Sequence, residues 1–106
     1  MNSLTPIQLR HNLHKTPELA FQEFKTTELI INSVKALPGS SELKIHTPFP
    51  TGVLFEYKVN DAPFILFRAD IDALPIKEET QVDFKSTNNY MHACGHDVHT
   101  SILYFF

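Results

Sequence analysis

The stretch MHACGHDVH, residues 91–99, contains three histidines, the only cysteine of the chain and an aspartate within nine residues. Thiolates, imidazoles and carboxylates are the side chains that bind borderline-soft divalent metals. Cys94 and His96 are two positions apart, so they would point to opposite sides of a helix but to one side of a tight turn. Gly95 between them allows a positive φ. The sequence therefore predicts a turn in which Cys94 and His96 are metal ligands.

The segment that follows, residues 97–106, predicts a helix with Asp97 near its N-terminus, where a carboxylate is favoured. Asp97 could equally accept a hydrogen bond from a ligating imidazole and fix its tautomer. The alternative to a metal site is a small buried cysteine beside histidines that only cap a helix or lie on the surface. A nucleophilic pair of Cys94 and His96 is weaker, because it needs a strained turn and lacks a third orienting group.

Composition bounds the class of protein. The 106 residues allow one small domain, and 42% hydrophobic residues with nine phenylalanines supply a core. A net charge of -3 gives no electrostatic support for nucleic-acid binding. A single cysteine forms no internal disulfide, and neither a signal region nor a membrane-spanning run is visible. We therefore expect a cytoplasmic protein without a nucleic-acid or membrane partner.

Two helices are predicted near the N-terminus. Thr5 as N-cap and Pro6 at the first helical position predict a helix to about Lys15, which Ile7, Leu9 and Leu13 would pack. On this interpretation His11 and His14 belong to a packed helix and are not metal ligands. Apolar residues at three- and four-residue steps predict a second helix over 21–36, ended by Pro38 and Gly39.

Strands are predicted in the middle of the chain. Alternation over 43–47 predicts a half-buried strand, and strands 53–59 and 63–69 are predicted to form a hairpin. The run 64–67, Phe-Ile-Leu-Phe, is apolar without alternation, which is typical of a strand covered on both faces in a layered α/β sheet. Residues 73–90 are predicted to form a loop with solvated charges at Lys77, Glu78, Glu79, Asp83 and Lys85.

The carboxyl end of that apolar strand carries Arg68, Asp70 and Asp72 on one face. Functional groups in open α/β sheets collect beyond the carboxyl ends of strands. The structural alternative is an ion pair between Arg68 and Asp70 with Asp72 as a turn residue. The residues alone do not decide between the two.

Residues 91–99 resemble the Met-His-Ala-Cys-Gly-His-Asp-x-His motif of the amidohydrolase branch of the aminoacylase/carboxypeptidase superfamily. Three other stretches are similar to that branch in the same order: RHNLHKTPELAFQE (10–23), TGV (51–53) and RADIDALP (68–75). The branch includes hippurate hydrolases, auxin-conjugate hydrolases and N-acetyldiaminopimelate deacetylases. The resemblance implies a layered α/β di-metal hydrolase domain, of which residues 1–106 are the incomplete N-terminal portion.

The resemblance also implies a chemistry and a set of site residues. It implies hydrolysis of N-acyl amino acids or similar small amides by a metal-activated water, with two divalent ions, manganese or zinc. Cys94 and His96 match its metal ligands, and Asp72 matches a carboxylate that orients a ligand. Asp70 lies where other branches carry a ligating histidine. Asp97 is expected to support a ligand, and His99 is a candidate helper.

We expect the chain to be a fragment. The last predicted helix ends at Phe105 and Phe106 without a capping residue, and a doubly covered strand needs more secondary structure than this sequence offers. The resemblance places the remaining ligands and a glutamate general base downstream, so residues 1–106 alone should be inactive. The alternative is a non-catalytic interaction module or pseudoenzyme fragment, a homo-oligomer for instance, formed through an exposed apolar sheet edge and the final helix.

Overall fold

Three helices and a two-stranded antiparallel sheet make up the computed structural model of this chain, which describes residues 3–105. This arrangement confirms the α/β class. No helix among the described residues is long and apolar enough to cross a membrane. The elements in chain order are α1 (Pro6–Lys15), α2 (Phe24–Lys35), a short 3-10 turn (Ser40–Glu42), β1 (Lys44–His46), β2 (Leu54–Glu56) and α3 (His96–Phe105).

Helix α1 begins and ends where the sequence predicted. The Thr5 hydroxyl accepts the Gln8 N–H at 3.2 Å, and the Gln8 side chain accepts the Thr5 N–H at 2.9 Å, which completes a capping box. Leu9 and Leu13 are buried, but Ile7 is exposed and does not join them. The apolar stripe of α1 is therefore narrower than expected.

Helix α2 starts at Phe24, three residues later than predicted. Phe21 has a φ of 66°, a left-handed conformation that a right-handed helix cannot include. The Glu18 carboxylate accepts the N–H groups of Lys25 at 3.2 Å and Thr26 at 2.6 Å, so it satisfies free donors at the new helix start.

The buried face of α2 is more polar than its apolar spacing indicated. Thr27 and Ser33 are buried beside Ile30, whereas Phe24 is exposed. The hydroxyls of Thr27 and Ser33 donate to backbone carbonyls one turn earlier, at 2.6 and 2.7 Å. Because these hydroxyls have partners within the helix, they can be buried at little cost.

The hydrophobic core lies between α1 and α2, and α3 packs against the side of α1. Tyr104 of α3 donates its hydroxyl proton to the Leu4 carbonyl at 2.7 Å, which fixes the end of α3 beside the start of α1. The core consists of Leu9, Leu13 and Ile30, and the partly buried residues packed on it are Leu4, Leu29, Val34, Val53, Phe55, Ile71 and Tyr104.

The sheet pairs different segments from those predicted. Strand β2 pairs with β1, with Lys44 opposite Glu56 and His46 opposite Leu54, so the hairpin of 53–59 with 63–69 is wrong. The side chains of residues 64–67 are 54–81% exposed, so the expectation of a strand covered on both faces is also wrong. A strand needs neighbours along its edges, and the two strands among residues 3–105 are β1 and β2, which do not include this segment.

The segment after this run, residues 70–74, is nevertheless held in place. The Ala73 N–H donates to the Glu18 carbonyl at 2.7 Å, and Leu74 and Met91 exchange two backbone hydrogen bonds of 2.9 and 3.0 Å. Thr100 of α3 donates its hydroxyl proton to the Asp70 carbonyl at 3.1 Å. These contacts bring residues 70–72 beside the start of α3.

Candidate metal centre

The predicted turn at residues 94–96 is present. Gly95 has a φ of 90°, and no other atom lies within 4 Å of the position a Cβ would occupy there. The need for glycine is therefore conformational rather than spatial. The Gly95 carbonyl accepts the N–H groups of Val98 and His99 at 3.1 and 3.0 Å, so α3 starts directly after the turn. Cys94 is exposed, which leaves its thiol accessible to a cation.

His96 is oriented by Asp72. Its Nδ1 atom lies 2.9 Å from the Asp72 carbonyl oxygen and 2.9 Å from a carboxylate oxygen of the same residue. Nδ1–H therefore donates to Asp72, and Nε2 keeps its lone pair. Nε2 lies 3.9 Å from a carboxylate oxygen of Asp70. A histidine held through one ring nitrogen with the other free is the usual arrangement of a metal ligand.

Asp70 contacts both Arg68 and His96. Arg68 and Asp70 form the ion pair of the structural alternative, and both side chains are exposed. The same Asp70 carboxylate also approaches His96, so the ion pair and a place beside the imidazole coexist. His99 is exposed, and its ring centroid lies 6.1 Å from that of His96. Its role as a helper stays a prediction.

A metal ion fits these residues only in part. The donor set of an accessible thiol and an oriented imidazole suits a borderline-soft divalent cation. Within residues 3–105, however, no group of three or more His, Cys, Asp or Glu side chains is placed to hold an ion. The assignment of Cys94 and His96 as metal ligands therefore stays a prediction.

Asp97 contacts a different imidazole from the one expected. It is 1% exposed, and its Oδ1 accepts the Val98 N–H at 2.9 Å, as suits a carboxylate in the first turn of a helix. Its Oδ2 accepts a hydrogen bond from Arg10 Nε at 2.9 Å and lies 2.8 Å from His14 Nδ1. Both partners lie on α1, so Asp97 joins α3 to α1, and no hydrogen bond links its carboxylate to the His96 ring.

Glu78 is buried, which corrects its assignment to the solvated charges of the loop. It is 2% exposed, and its Oε1 accepts the Ser86 N–H at 2.8 Å and lies 3.0 Å from His14 Nε2. Burial would raise the pKa of this carboxyl, but hydrogen bonds from Thr80, Ser86 and His14 outweigh it and lower the pKa to about 2. Glu78 is therefore a fixed anion facing His14.

The loop that carries Glu78 is also held by ring contacts. The His11 ring stacks on Phe84, with centroids 3.9 Å apart and planes 7° from parallel, and the Arg10 guanidinium carbon lies 4.7 Å from the Phe84 centroid. Sequence reasoning missed these partners. The only signal was that residues 10, 11 and 14 share one polar side of α1.

His92 differs from the other histidines of the motif. It is 4% exposed, and neither ring nitrogen makes a well-aligned hydrogen bond among the described residues, although the Asp72 backbone lies near enough to the ring to act on its pKa. Burial is the main reason that the pKa of His92 is lowered from its usual value. The ring borders a cavity of about 270 Å³ between α1, the loop and the turn. Other residues lining this cavity include Arg10, His14, Glu78, Phe84 and Asp97.

Comparisons with known proteins find a matching family and related sequences. Residues 66–106 match the model of peptidase family M20/M25/M40. The chain is 47% identical over 98 residues to an N-acetyldiaminopimelate deacetylase of Bacillus cytotoxicus, covering 91% of this chain and 26% of that protein. It is 48% identical over 106 residues to the deacetylase of the same name from a Geobacillus species, covering 96% and 27% respectively.

A solved structure shares the fold. The YXEP protein of Bacillus subtilis, described as a dinuclear metal binding peptidase from the M20 family, superposes with a TM-score of 0.83 at 44% identity. The match covers 93% of this chain and 28% of that one. The chain thus spans about a quarter of the length of the relatives it matches.

Proposed function

Because the chain belongs to peptidase family M20/M25/M40, a family of metal-dependent hydrolases, we propose that it forms part of the metal centre of an amidohydrolase. The substrate would be a small N-acyl amino acid or similar amide, as the name of the deacetylase relatives suggests. In this proposal residues 1–106 are the N-terminal portion of the catalytic domain, and the protein acts in the cytoplasm.

The observation that carries the proposal is the orientation of His96. Asp72 holds Nδ1–H at 2.9 Å, which leaves Nε2 of a neutral ring available to a cation, and the thiol of Cys94, two residues earlier in the same turn, is exposed. Asp70, 3.9 Å from Nε2, would add negative charge to the site.

The metal would be a pair of divalent ions, manganese or zinc, and a thiolate ligand favours zinc of the two. When bound, such ions polarise the amide carbonyl and activate the attacking water. The residues of this chain would supply two ligands, Cys94 and His96, and keep the imidazole in the ligating tautomer through Asp72. Glu78 is unsuited to be the general base, because its carboxylate is buried and already accepts several hydrogen bonds.

The activity test asks whether residues 1–106 hydrolyse an amide without the further metal ligands that the proposal places elsewhere in the protein. Purified residues 1–106, assayed with manganese or zinc on hippurate and on N-acetylated amino acids, should show no hydrolysis, because two ligands do not complete a catalytic site. Hydrolysis that a chelator and Cys94→Ala both abolish would contradict the proposed inactivity of the chain and support the proposed class of reaction.

A second candidate function is a non-catalytic interaction module, possible as a homo-oligomer. The exposed apolar run at 64–67 favours it, since a monomer rarely leaves such a run uncovered. Size-exclusion chromatography with mass measurement separates the two functions. A discrete, metal-independent oligomer supports the module, whereas aggregation relieved by co-expression with longer family polypeptide supports a part of an enzyme.

A further inference from the structure

One histidine outside the motif lies between two buried carboxylates. We propose that His14 is a positioning residue for the metal turn, acting as a cation that bridges Asp97 and Glu78 and so fixes the first turn of α3. The consequence for metal binding rests on the proposed function. The bridge itself can be tested without metal.

The protonation of His14 follows from its contacts. Nδ1 lies 2.8 Å from Asp97 Oδ2 and Nε2 lies 3.0 Å from Glu78 Oε1, and all three side chains are at most 5% exposed. A neutral ring would turn one bare lone pair toward a buried carboxylate, which is unfavourable because neither group has a proton to share there. Only the imidazolium donates to both oxygens, so the ring carries both protons.

The bridge leaves no charge unpaired. Arg10 donates a second hydrogen bond to Asp97 Oδ2, so two cations face two carboxylates. Each carboxylate also accepts a backbone N–H, from Val98 for Asp97 and from Ser86 for Glu78. All of these groups are engaged in holding one another, which suits a fixed scaffold and not a group that exchanges protons with a substrate.

The bridge reaches the ligands through the backbone. Asp97 directly follows His96, and it accepts the N–H of Val98 in the turn that presents both Cys94 and His96. Without His14, Asp97 keeps only Arg10, whose side chain is 32% exposed, as a link to α1. The first turn of α3 would then open more often, and the direction of the two ligand side chains would be less defined.

Hydrogen exchange resolved by residue tests this bridge in the metal-free chain. In His14→Gln, whose side chain cannot donate at both ends, the amides of Val98 and His99 should exchange at least about tenfold faster. The matched control is Glu18→Gln, which removes the charged cap of α2 and should speed exchange at Lys25 and Thr26 instead. Unchanged protection at Val98 and His99, or an equal loss in both helices, would overturn the proposal.

The unaltered chain gives a second readout that does not depend on a variant folding. Its nitrogen-15 ring spectrum should show protons on both nitrogens of His14 near neutral pH, and a neutral ring would overturn the bridge.

Zinc titration then separates the two proposals. His14→Gln should weaken zinc binding about tenfold while Glu18→Gln leaves it unchanged. If the unaltered chain binds no zinc, the proposed function fails, and hydrogen exchange still decides on the bridge.

Discussion

The Nδ1 atom of His14 lies 2.8 Å from Oδ2 of Asp97, although 83 positions separate the two residues in the sequence. Through Glu78 the same ring reaches the central loop, so α1, the loop and α3 meet at one buried group. The turn that carries the candidate ligands is therefore built on the N-terminal helix of the chain.

Asp97→Asn should destabilise the chain strongly. The substitution removes the anion that pairs with His14 and Arg10 and leaves a buried cation short of a partner, which costs about 3 kcal/mol in comparable cases. Urea unfolding measures the change. Asp61→Asn is the control, because Asp61 is exposed and its pair with Lys58 at 3.8 Å should contribute less than about 1 kcal/mol. Equal losses in the two variants would contradict the importance of the buried pair.

Stability should fall in acid because of Glu78. Its pKa is lowered from 4.5 to about 2 in the folded chain, so the unfolded chain binds the proton more readily. The contribution is therefore complete above pH 4.5 and is lost as the pH falls toward 2; it is on the order of 2 kcal/mol. Glu78→Gln should flatten this part of the pH profile of unfolding, whereas the exposed Glu79→Gln should not. Parallel profiles for Glu78→Gln and the unaltered chain would argue against this assignment.

Gly95→Ala tests the turn. Alanine at a φ of 90° costs about 1 kcal/mol, and the strain should alter the turn between the two ligands. Gly39→Ala is matched, since Gly39 has a φ of 78° and equally open space around it. Both variants should lose similar stability by thermal unfolding, but only Gly95→Ala should weaken zinc binding. Weakening by Gly39→Ala as well would mean that binding follows overall stability.

His92→Leu should stabilise the chain. Two buried ring nitrogens without a well-aligned hydrogen bond carry a desolvation penalty, and an apolar side chain of similar volume removes it for a gain of about 1 kcal/mol. His14→Leu should lower the stability, because it removes a hydrogen-bond partner from each of two buried carboxylates, Asp97 and Glu78. Chemical unfolding of both variants gives the comparison, and a loss of stability in His92→Leu would show that this ring has a partner.

Local chemistry made part of the fold predictable. Thr5 and Pro6 defined the start of α1, and Gly95 between a cysteine and a histidine defined the turn, because caps and positive φ angles depend on neighbouring residues. The pairing of residues 63–69 was not predictable. Their apolar pattern reports a preference for a covered strand, and the described residues hold no strand to satisfy it.

Candidate site residues could be predicted where they lie within a few positions of one another in the sequence or match the family motif. Cys94, His96 and Asp72 were identified from spacing and resemblance, and the structure brings His96 and Asp72 together. The contact of His14 with Glu78 spans 64 positions and joins a helix to an irregular loop, so no periodicity could indicate it. In the sequence, nothing distinguishes the buried Glu78 from the exposed Glu79 next to it.

The central claim is that sulfur and imidazole of one turn bind the same cation. X-ray absorption at the zinc edge, on the chain loaded with stoichiometric zinc, measures this directly. A sulfur ligand at about 2.3 Å and a nitrogen ligand at about 2.0–2.1 Å should be present in the unaltered chain, and the sulfur should be lost in Cys94→Ser. Zinc bound by oxygen and nitrogen alone in the unaltered chain would contradict the claim.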